Sequence, residues 1–323
     1  MVFKEYFNYT NLVFEGGGMK GIAYAPIPSI LATLGILSGI KKIAGTSAGS
    51  IISLLIALKY NPNNIETILY NLDFNDFKDY DFYTPKIYSF LYRKGIYTGR
   101  KLEKWIKLLV QYKLGNKNAT FLDLKKKNNI ELVITGTSTK YNKTVYFSYK
   151  TYPDFPLWLA VRISISIPGY FTPINIMDYI SNYPEFKDDL FVDGGIFNNY
   201  PIWIFDNSES YEFSKFHKSV RDDTLGFKLV SSKSGTIEIP DYLPSIVGFL
   251  YELIETMASW IDNQYKLPCY WDRTVVLDVK DIRSTDFNIS NEKKLEIIES
   301  SRETIKQILR NKIESYIYAN KLS

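Results

Sequence analysis

The pattern of hydrophobic residues in the first 60 positions predicts alternating strands and helices. The apolar residues 12–14 are followed by Glu15 and three glycines, which is the pattern of a buried strand that enters a tight turn. A helix is predicted over about 21–34 and a second strand over 40–44. Residues 48–60 are apolar on all sides, which predicts a buried helix. Two successive strand–turn–helix units favour an α/β fold in which helices cover a parallel sheet.

The rest of the chain continues this pattern with one interruption. Residues 60–100 are predicted to leave the sheet, as a lid would. Within them, the segment 74–97 carries many aromatic side chains among aspartates and lysines. The other predicted elements are a helix at 99–112, strands at 131–136, 144–149 and 190–192, a helix at 243–261, a strand at 273–279 and a final helix from Ser290. No linker or internal repeat marks a domain boundary.

Composition excludes several classes of protein. The chain has 323 residues, of which 46% are hydrophobic and 23% charged, so it is too apolar for a disordered protein. A single cysteine, Cys269, excludes a disulfide framework and a cysteine-rich zinc site, and a single histidine excludes metal sites built from several histidines. Any Ser-His-Asp triad would have to use His217. The net charge of +4 gives no support for nucleic-acid binding.

The N-terminal sequence favours a cytoplasmic protein. Residues 1–11 have no apolar run followed by a small-residue cleavage site, so no signal peptide is predicted. Residues 21–40 lack charge over twenty positions, but Pro26, Pro28 and two glycines interrupt them. We therefore expect buried structure there and no transmembrane helix.

The segment Gly45-Thr46-Ser47-Ala48-Gly49 fits the pattern G-x-S-x-G between a predicted strand and a predicted helix. A serine nucleophile on a sharp strand-to-helix turn needs small neighbours, and the turn exposes its hydroxyl at a helix N-terminus. The alternative is an ordinary turn of small residues. The context favours Ser47 as a nucleophile.

The glycine-rich segment 16–21 supports two interpretations. Gly16, Gly18 and Gly21 fit the G-x-G-x-x-G pattern of a dinucleotide-binding turn, as in an oxidoreductase. That interpretation requires an acidic residue at the end of the second strand, where this chain has Gly-Thr-Ser at 45–47. The other interpretation is an oxyanion hole, in which backbone N–H groups stabilise the negative charge on a carbonyl oxygen under attack. The oxyanion-hole interpretation gives a role both to the glycine-rich segment and to the turn that carries Ser47.

A hydroxyl nucleophile needs a general base, and the chain offers two candidates. His217 lies in a polar, charged segment with the character of an exposed loop. Asp193 ends a short apolar strand and is followed by Gly194 and Gly195, which would allow another part of the backbone to come close. Asp-Gly pairs are also common in turns, and the residues alone leave both interpretations of Asp193 open.

The sequence resembles the patatin-like phospholipases, which use a Ser-Asp dyad without a histidine. Four segments carry the resemblance in family order: FEGGGMKGIAY at 14–24, IAGTSAGS at 43–50, AVRISISIPGYFTPI at 160–174 and VDGGIFNNYP at 192–201. The resemblance implies a three-layer α/β/α fold with a mainly parallel central sheet. It further implies a catalytic core over 11–201 and an extension over 202–323 that completes the same domain.

The resemblance also implies the role of each site residue. Ser47 would be the nucleophile and Asp193 the general base. The oxyanion hole would be formed by Gly16, Gly17 and Gly18, with the last two the better donors. The supporting motif residues would be Lys20, where the family commonly has arginine, and Gly21, Gly45, Gly49, Gly194 and Gly195.

The expected function is therefore hydrolysis of fatty-acyl esters of phospholipids or related glycerolipids, of the phospholipase A type. No metal or cofactor is expected, and the sequence does not identify a protein partner. A lipid substrate implies transient contact with a membrane surface, for which 74–97 and the apolar segment 244–260 are candidates. Both segments could instead belong to the core. A nucleotide-binding oxidoreductase and a catalytically silent lipid-binding scaffold remain the alternatives.

Overall fold

The computed structural model describes residues 8–79, 86–206, 221–231, 268–280 and 288–321, together with five single positions. These positions are Tyr211, Thr256, Ile282, Ser284 and Asp286. His217 lies outside the described residues, as does the predicted helix over 243–261 apart from Thr256.

Nine strands are present in the described chain, and seven of them form the central sheet. In chain order they are β1 (Asn11–Phe14), β2 (Lys42–Gly45), β3 (Gly95–Tyr97), β4 (Glu131–Ser138), β5 (Lys143–Phe147), β6 (Gly169–Phe171), β7 (Phe191–Asp193), β8 (Thr224–Val230) and β9 (Thr274–Asp278). The order across the sheet is β5-β4-β2-β1-β8-β9, and β7 also pairs with β4. The short strands β3 and β6 form a separate parallel pair.

Most neighbouring strands of the central sheet run in the same direction. The pairs β4–β2, β2–β1, β1–β8 and β8–β9 are parallel, whereas β5 and β7 run antiparallel to β4. The predicted mainly parallel sheet is confirmed. Because β8 and β9 come from the C-terminal part of the chain, that part contributes directly to the sheet. The predicted division at residue 201 stays a prediction.

Both faces of the central sheet are buried, as the alternation of side chains along β1 illustrates. Leu12 and Phe14 point into one hydrophobic cluster, while Val13 belongs to a second cluster on the opposite face. Strands buried on both faces are typical of parallel sheets covered by further layers. The predicted α/β fold is confirmed.

Nine α-helices are present in the described part of the chain. They are α1 (Ile27–Thr33), α2 (Ala48–Ala57), α3 (Pro62–Tyr70), α4 (Lys86–Arg93), α5 (Arg100–Leu114), α6 (Phe121–Asn128), α7 (Leu157–Ser164), α8 (Pro268–Trp271) and α9 (Asn291–Lys321). Helix α2 packs on β1, β2 and β4, and α7 packs on β4 and β7 beside it. Ser290 caps α9 as predicted, since its hydroxyl accepts from the N–H of Lys293 at 3.2 Å. No described helix is long and apolar enough to cross a membrane.

The prediction of one continuous helix over 21–34 is wrong. The chain instead forms a 3-10 helix at Gly18–Tyr24 and then the short helix α1. Pro26 immediately precedes α1 and Pro28 lies in its first turn. Proline lacks an N–H group and is tolerated at a helix start but not in its interior, so the two prolines fix where α1 begins.

Candidate active site

Strand β4 brings the ends of β2 and β7 together. Both strands pair with the same edge of β4, because β5 occupies its other edge. They run in opposite directions, with Gly45 of β2 beside Ile134 and Asp193 of β7 beside Gly136. Only Thr135 separates the two pairing positions along β4. The residues at the ends of β2 and β7 must therefore meet in front of Thr135.

Ser47 occupies a strained turn between β2 and α2. Its φ of 49° and ψ of −122° are rare for a residue with a side chain, and such a conformation costs about 1–3 kcal/mol. The neighbouring glycines allow the turn to pack tightly. A Cβ atom on Gly49 would lie 2.4 Å from the carbonyl oxygen of Phe14, and one on Gly45 would lie 2.2 Å from that of Gly49. The predicted need for small residues thus has a steric basis.

The hydroxyl of Ser47 donates a hydrogen bond to Oδ2 of Asp193 at 2.7 Å, although the two residues are 146 positions apart in the sequence. The other carboxylate oxygen, Oδ1, accepts from the N–H of Gly195 at 2.7 Å. Both side chains are buried. Burial raises the pKa of Asp193 from 3.8 to about 7, against the smaller opposite effect of the hydrogen bonds from Ser47 and Gly195. A carboxylate with such a pKa is suited to exchange protons near neutral pH.

The two glycines after Asp193 let its turn pass close to neighbouring groups. A Cβ atom on Gly194 would lie 2.2 Å from Oγ1 of Thr135, and one on Gly195 would lie 2.7 Å from Oδ1 of Asn199. A larger residue at position 194 would push the turn away from β4, and one at position 195 would press against the side chains of Asn199 and Asp193. The Asp193 carboxylate would then move away from Ser47.

The glycine-rich loop lies directly beside Ser47. A Cβ atom on Gly16 would be 3.1 Å from the Cβ of Ser47. The N–H of Gly16 already donates to the carbonyl oxygen of Asn199 at 3.1 Å, so Gly16 is not an available oxyanion donor in this conformation. The N–H groups of Gly17 and Gly18 have no hydrogen-bond acceptor among the described residues. These two amides remain as the candidate oxyanion donors.

Lys20 and Gly21 have different surroundings. The backbone N–H of Lys20 donates to the carbonyl oxygen of Gly17 at 3.0 Å, and its half-buried side chain forms no ion pair with any described residue. The Cβ atom that Gly21 lacks would lie 2.7 Å from the Cβ of Ala48. Gly21 therefore allows the loop to pack against the start of α2, immediately after Ser47.

Sequence reasoning missed Glu15, which holds the start of the glycine-rich loop. Its buried carboxylate pairs with Lys228 and also accepts from the N–H of Leu229 at 2.6 Å, so it ties the end of β1 to β8. The sequence does contain a signal for this role, which is a single acidic residue between an apolar strand and three glycines.

Two further residues of the site were also missed. The hydroxyl oxygen of Ser164 accepts from the N–H of Ser47 at 2.8 Å. The side-chain amide of Asn199 donates to the carbonyl oxygen of Gly16 at 3.2 Å. Both residues lie within the segments that carry the family resemblance, but neither has a residue type that signals catalysis by itself. In the described part of the chain, no group of three or more His, Cys, Asp or Glu side chains is placed to hold a metal ion.

Comparison with known proteins identifies the class of the chain. Residues 12–206 match the family profile described as patatin-like phospholipase. The chain belongs to this family and is a lipid acyl hydrolase. The predicted family is confirmed.

Particular relatives extend the likeness over nearly the whole chain. The uncharacterized protein YqhO of Bacillus subtilis is 31% identical over 315 residues, which cover 94% of this chain and 98% of YqhO. The probable lipid hydrolase 463L of Invertebrate iridescent virus 6 is 29% identical over 206 residues, which cover 61% of this chain and 63% of that protein. The crystal structure of VipD from Legionella pneumophila aligns with a TM-score of 0.60 at 16% identity, and the match covers 94% of this chain and 67% of VipD. The last comparison supports the fold alone.

Proposed function

We propose that the chain cleaves fatty-acyl esters of phospholipids or related glycerolipids, in the manner of a phospholipase A, with Ser47 as nucleophile and Asp193 as general base. The observation that carries this proposal is the 2.7 Å hydrogen bond from the Ser47 hydroxyl to a buried carboxylate whose pKa is raised to about 7. Nucleophile and base within hydrogen-bond reach are the signature of an activated hydroxyl.

The first half of the proposed reaction forms an acyl-enzyme. The Ser47 proton moves to Oδ2 of Asp193 as Oγ bonds to the ester carbonyl carbon. The N–H groups of Gly17 and Gly18 stabilise the negative charge that develops on the carbonyl oxygen. The ester C–O bond then breaks, and the departing alcohol oxygen takes the proton from Asp193. The products of this half are the deacylated lipid and Ser47 carrying the fatty-acyl group.

The second half restores the enzyme. Asp193 removes a proton from a water molecule, whose oxygen attacks the acyl carbonyl carbon. The bond to Ser47 breaks, and Oγ recovers a proton from Asp193 as the fatty acid leaves. No step is assigned to a metal ion or a cofactor.

Apolar surface begins immediately beside the proposed site. A narrow cleft of about 20 Å³ is bordered by Gly18 of the glycine-rich loop and by Ala48, the residue after Ser47. Its remaining lining is apolar and includes Met19, Ile51 and Leu69. At about 20 Å³ the cleft has room for roughly one water molecule, so it shows that the surroundings of the proposed site are apolar and is not itself the path of an acyl chain.

Helix α4 supports the proposed contact with a membrane surface. Tyr88, Leu91 and Tyr92 are 48%, 64% and 69% exposed, and the two tyrosine rings stack with their centroids 4.2 Å apart. Large apolar groups that are exposed together mark interaction sites, and tyrosine is favoured at the membrane–water interface. The exposed Lys94 follows the helix and suits an anionic lipid surface. We refer to Tyr88, Leu91 and Tyr92 as the α4 patch.

Reaction with a fluorophosphonate tests the nucleophile directly. We expect the label on Ser47 in the unaltered chain, and fatty-acid release from phospholipid vesicles in the presence of a chelator. Ser47→Ala and Asp193→Asn should each lower release by at least about 10³-fold, on the scale found when members of catalytic triads are removed.

Two matched variants serve as controls for these substitutions. Ser89→Ala removes a buried hydroxyl that donates to the Gly95 carbonyl oxygen, and Asp189→Asn alters a buried carboxylate that accepts from Ser138, both outside the proposed site. The folded control variants should keep their activity. Undiminished release from Ser47→Ala or Asp193→Asn would refute the dyad.

A further inference from the structure

The turn at the end of α7 contacts both members of the proposed dyad. The hydroxyl oxygen of Ser164 accepts from the N–H of Ser47 at 2.8 Å. Two residues later, the carbonyl oxygen of Ser166 accepts from the N–H of Asp193 at 2.9 Å. We call residues 164–166 the α7 turn. One short segment therefore binds the backbones of both residues, which come from separate strands.

Arg162 connects the α7 turn to two other parts of the chain. Its Nη1 group donates to the hydroxyl oxygen of Ser166 at 2.6 Å, and that hydroxyl donates to the carbonyl oxygen of Arg162 at 2.8 Å. Its Nη2 group donates to the carbonyl oxygens of Thr98 at 2.9 Å and Thr172 at 3.3 Å. The guanidinium thus fixes the α7 turn against the segments that follow β3 and β6.

The burial of Arg162 is costly. The residue is 1% exposed and forms no ion pair with a carboxylate in the described part of the chain. Burial lowers its pKa to about 10, so the guanidinium stays charged at neutral pH. Gly99 lies directly against it, because a Cβ atom there would be 2.3 Å from Nη2. A buried cation without an ion partner is unfavourable unless its hydrogen bonds are satisfied, and an apolar residue would fill the space at lower cost.

We propose that the α7 turn sets the distance between Ser47 and Asp193, and that Arg162 is the positioning residue that holds this turn in place. This inference rests on the proposed function, since it concerns the alignment of the proposed dyad. Neither Arg162 nor Ser164 is assigned contact with the reacting atoms.

The need for such a positioning element follows from the site geometry. Ser47 is held in a strained conformation, and its N–H is buried against Ser164. Removing the Ser164 hydroxyl leaves that N–H unpaired, so the turn can relax and move Oγ away from the carboxylate. Small displacements of reacting groups, on the order of 1 Å, can lower rates by about 10²-fold.

Kinetics of Ser164→Ala, Arg162→Met and Arg162→Lys test the inference on a soluble short-chain ester. For Ser164→Ala we expect kcat to fall about 10- to 100-fold with KM unchanged, on the scale of other losses of residues that orient a site. The rate of Ser47 labelling by a fluorophosphonate should fall by the same factor. Arg162→Met should show the same pattern, and Arg162→Lys a smaller loss, because lysine keeps the charge but not the forked donor geometry.

Ser89→Ala is the matched control, because it also deletes a buried hydroxyl that is hydrogen-bonded to the backbone, in this case as a donor to the Gly95 carbonyl oxygen. If Ser164 had only a structural role, Ser164→Ala would have a lower melting temperature, and its kcat per folded molecule would equal that of Ser89→Ala. That result would overturn the inference. If Arg162→Met does not fold, Ser166→Ala replaces it, because this change removes only the hydroxyl that accepts from Nη1.

The two proposals fail in different ways. Full activity in Ser164→Ala, together with none in Ser47→Ala, would refute the positioning role and leave the dyad intact. Full activity in Ser47→Ala would refute the dyad itself.

Discussion

Gly16 and Asn199 exchange two hydrogen bonds. The N–H of Gly16 donates to the carbonyl oxygen of Asn199 at 3.1 Å, and the side-chain amide of Asn199 donates to the carbonyl oxygen of Gly16 at 3.2 Å. The glycine-rich loop is thereby attached to the turn that follows Asp193. These hydrogen bonds therefore link the loop that carries the candidate oxyanion donors to the turn that carries the proposed base.

Substitution of Asn199 should therefore lower activity through the oxyanion donors. Asn199→Ala removes one of the two hydrogen bonds, and we expect kcat to fall about tenfold because the loop is less well fixed. Asn199→Asp places a carboxylate next to Gly16 and should lower kcat about 100-fold, since its charge opposes that of the oxyanion. Asn198→Ala is the control, because its side-chain amide donates to the Tyr146 hydroxyl instead. Steady-state kinetics on a soluble ester would measure all three, and equal kcat values would contradict this role.

The pH dependence of activity should reflect the Asp193 carboxylate. Its pKa is raised to about 7 by burial, and only the deprotonated form can accept the Ser47 proton. We expect kcat/KM to rise with pH and to reach a plateau above about pH 7, falling about tenfold per unit at lower pH. A histidine base would titrate in the same range, because the ordinary histidine pKa is about 6.5. His217→Ala separates the two cases, and it should keep both the plateau and the midpoint. Loss of the acidic limb in that variant would contradict the proposed base.

The buried Asp193 carboxylate should also reduce stability at alkaline pH. Its pKa is higher in the folded chain than in the unfolded one, so the folded state binds more protons between about pH 4 and 7. Its contribution to stability is thus fully present below about pH 4 and is lost as the pH rises through about 7. Asp193→Asn removes this dependence, and at pH 8 it should raise the free energy of unfolding by up to about 4 kcal/mol. Urea titrations at pH 5 and 8 would measure the difference, and an equal gain at both pH values would contradict it.

The local part of the site could be predicted from the sequence. The glycines around Ser47 specify a strand-to-helix turn because each removes a clash with nearby backbone, and that requirement is visible in a five-residue window. The contact between Ser47 and Asp193 depends instead on how β2 and β7 align on β4. No local pattern contains that register, and the family resemblance was needed to favour Asp193 over a simple turn.

Other features depended on tertiary contacts that short sequence windows do not contain. Ser164 and Asn199 are common polar residues whose roles arise only from what the fold places beside them. The aromatic segment 74–97 was predicted to leave the sheet as a lid, but Phe74 and Phe77 are buried in the main hydrophobic cluster. Among the described residues of this segment, only those of α4 expose large apolar groups. Hydrophobic periodicity does not distinguish the buried core from an exposed apolar patch, because aromatic residues occur in both.

The α4 patch provides the last prediction, which concerns membrane contact. Replacing Tyr88, Leu91 and Tyr92 together by serine removes the exposed apolar surface of this patch. Because membrane binding scales with the apolar area that is buried at the interface, the fraction of protein that floats with vesicles of phosphatidylcholine and phosphatidylglycerol should fall at least about tenfold. Activity on a soluble short-chain ester should not change, since these residues lie outside the proposed site. Leu108→Ser with Tyr112→Ser is the matched control, because both residues are also exposed, at 64% and 78%, but lie on α5. If both sets of changes weaken flotation equally, the contact is not specific to α4.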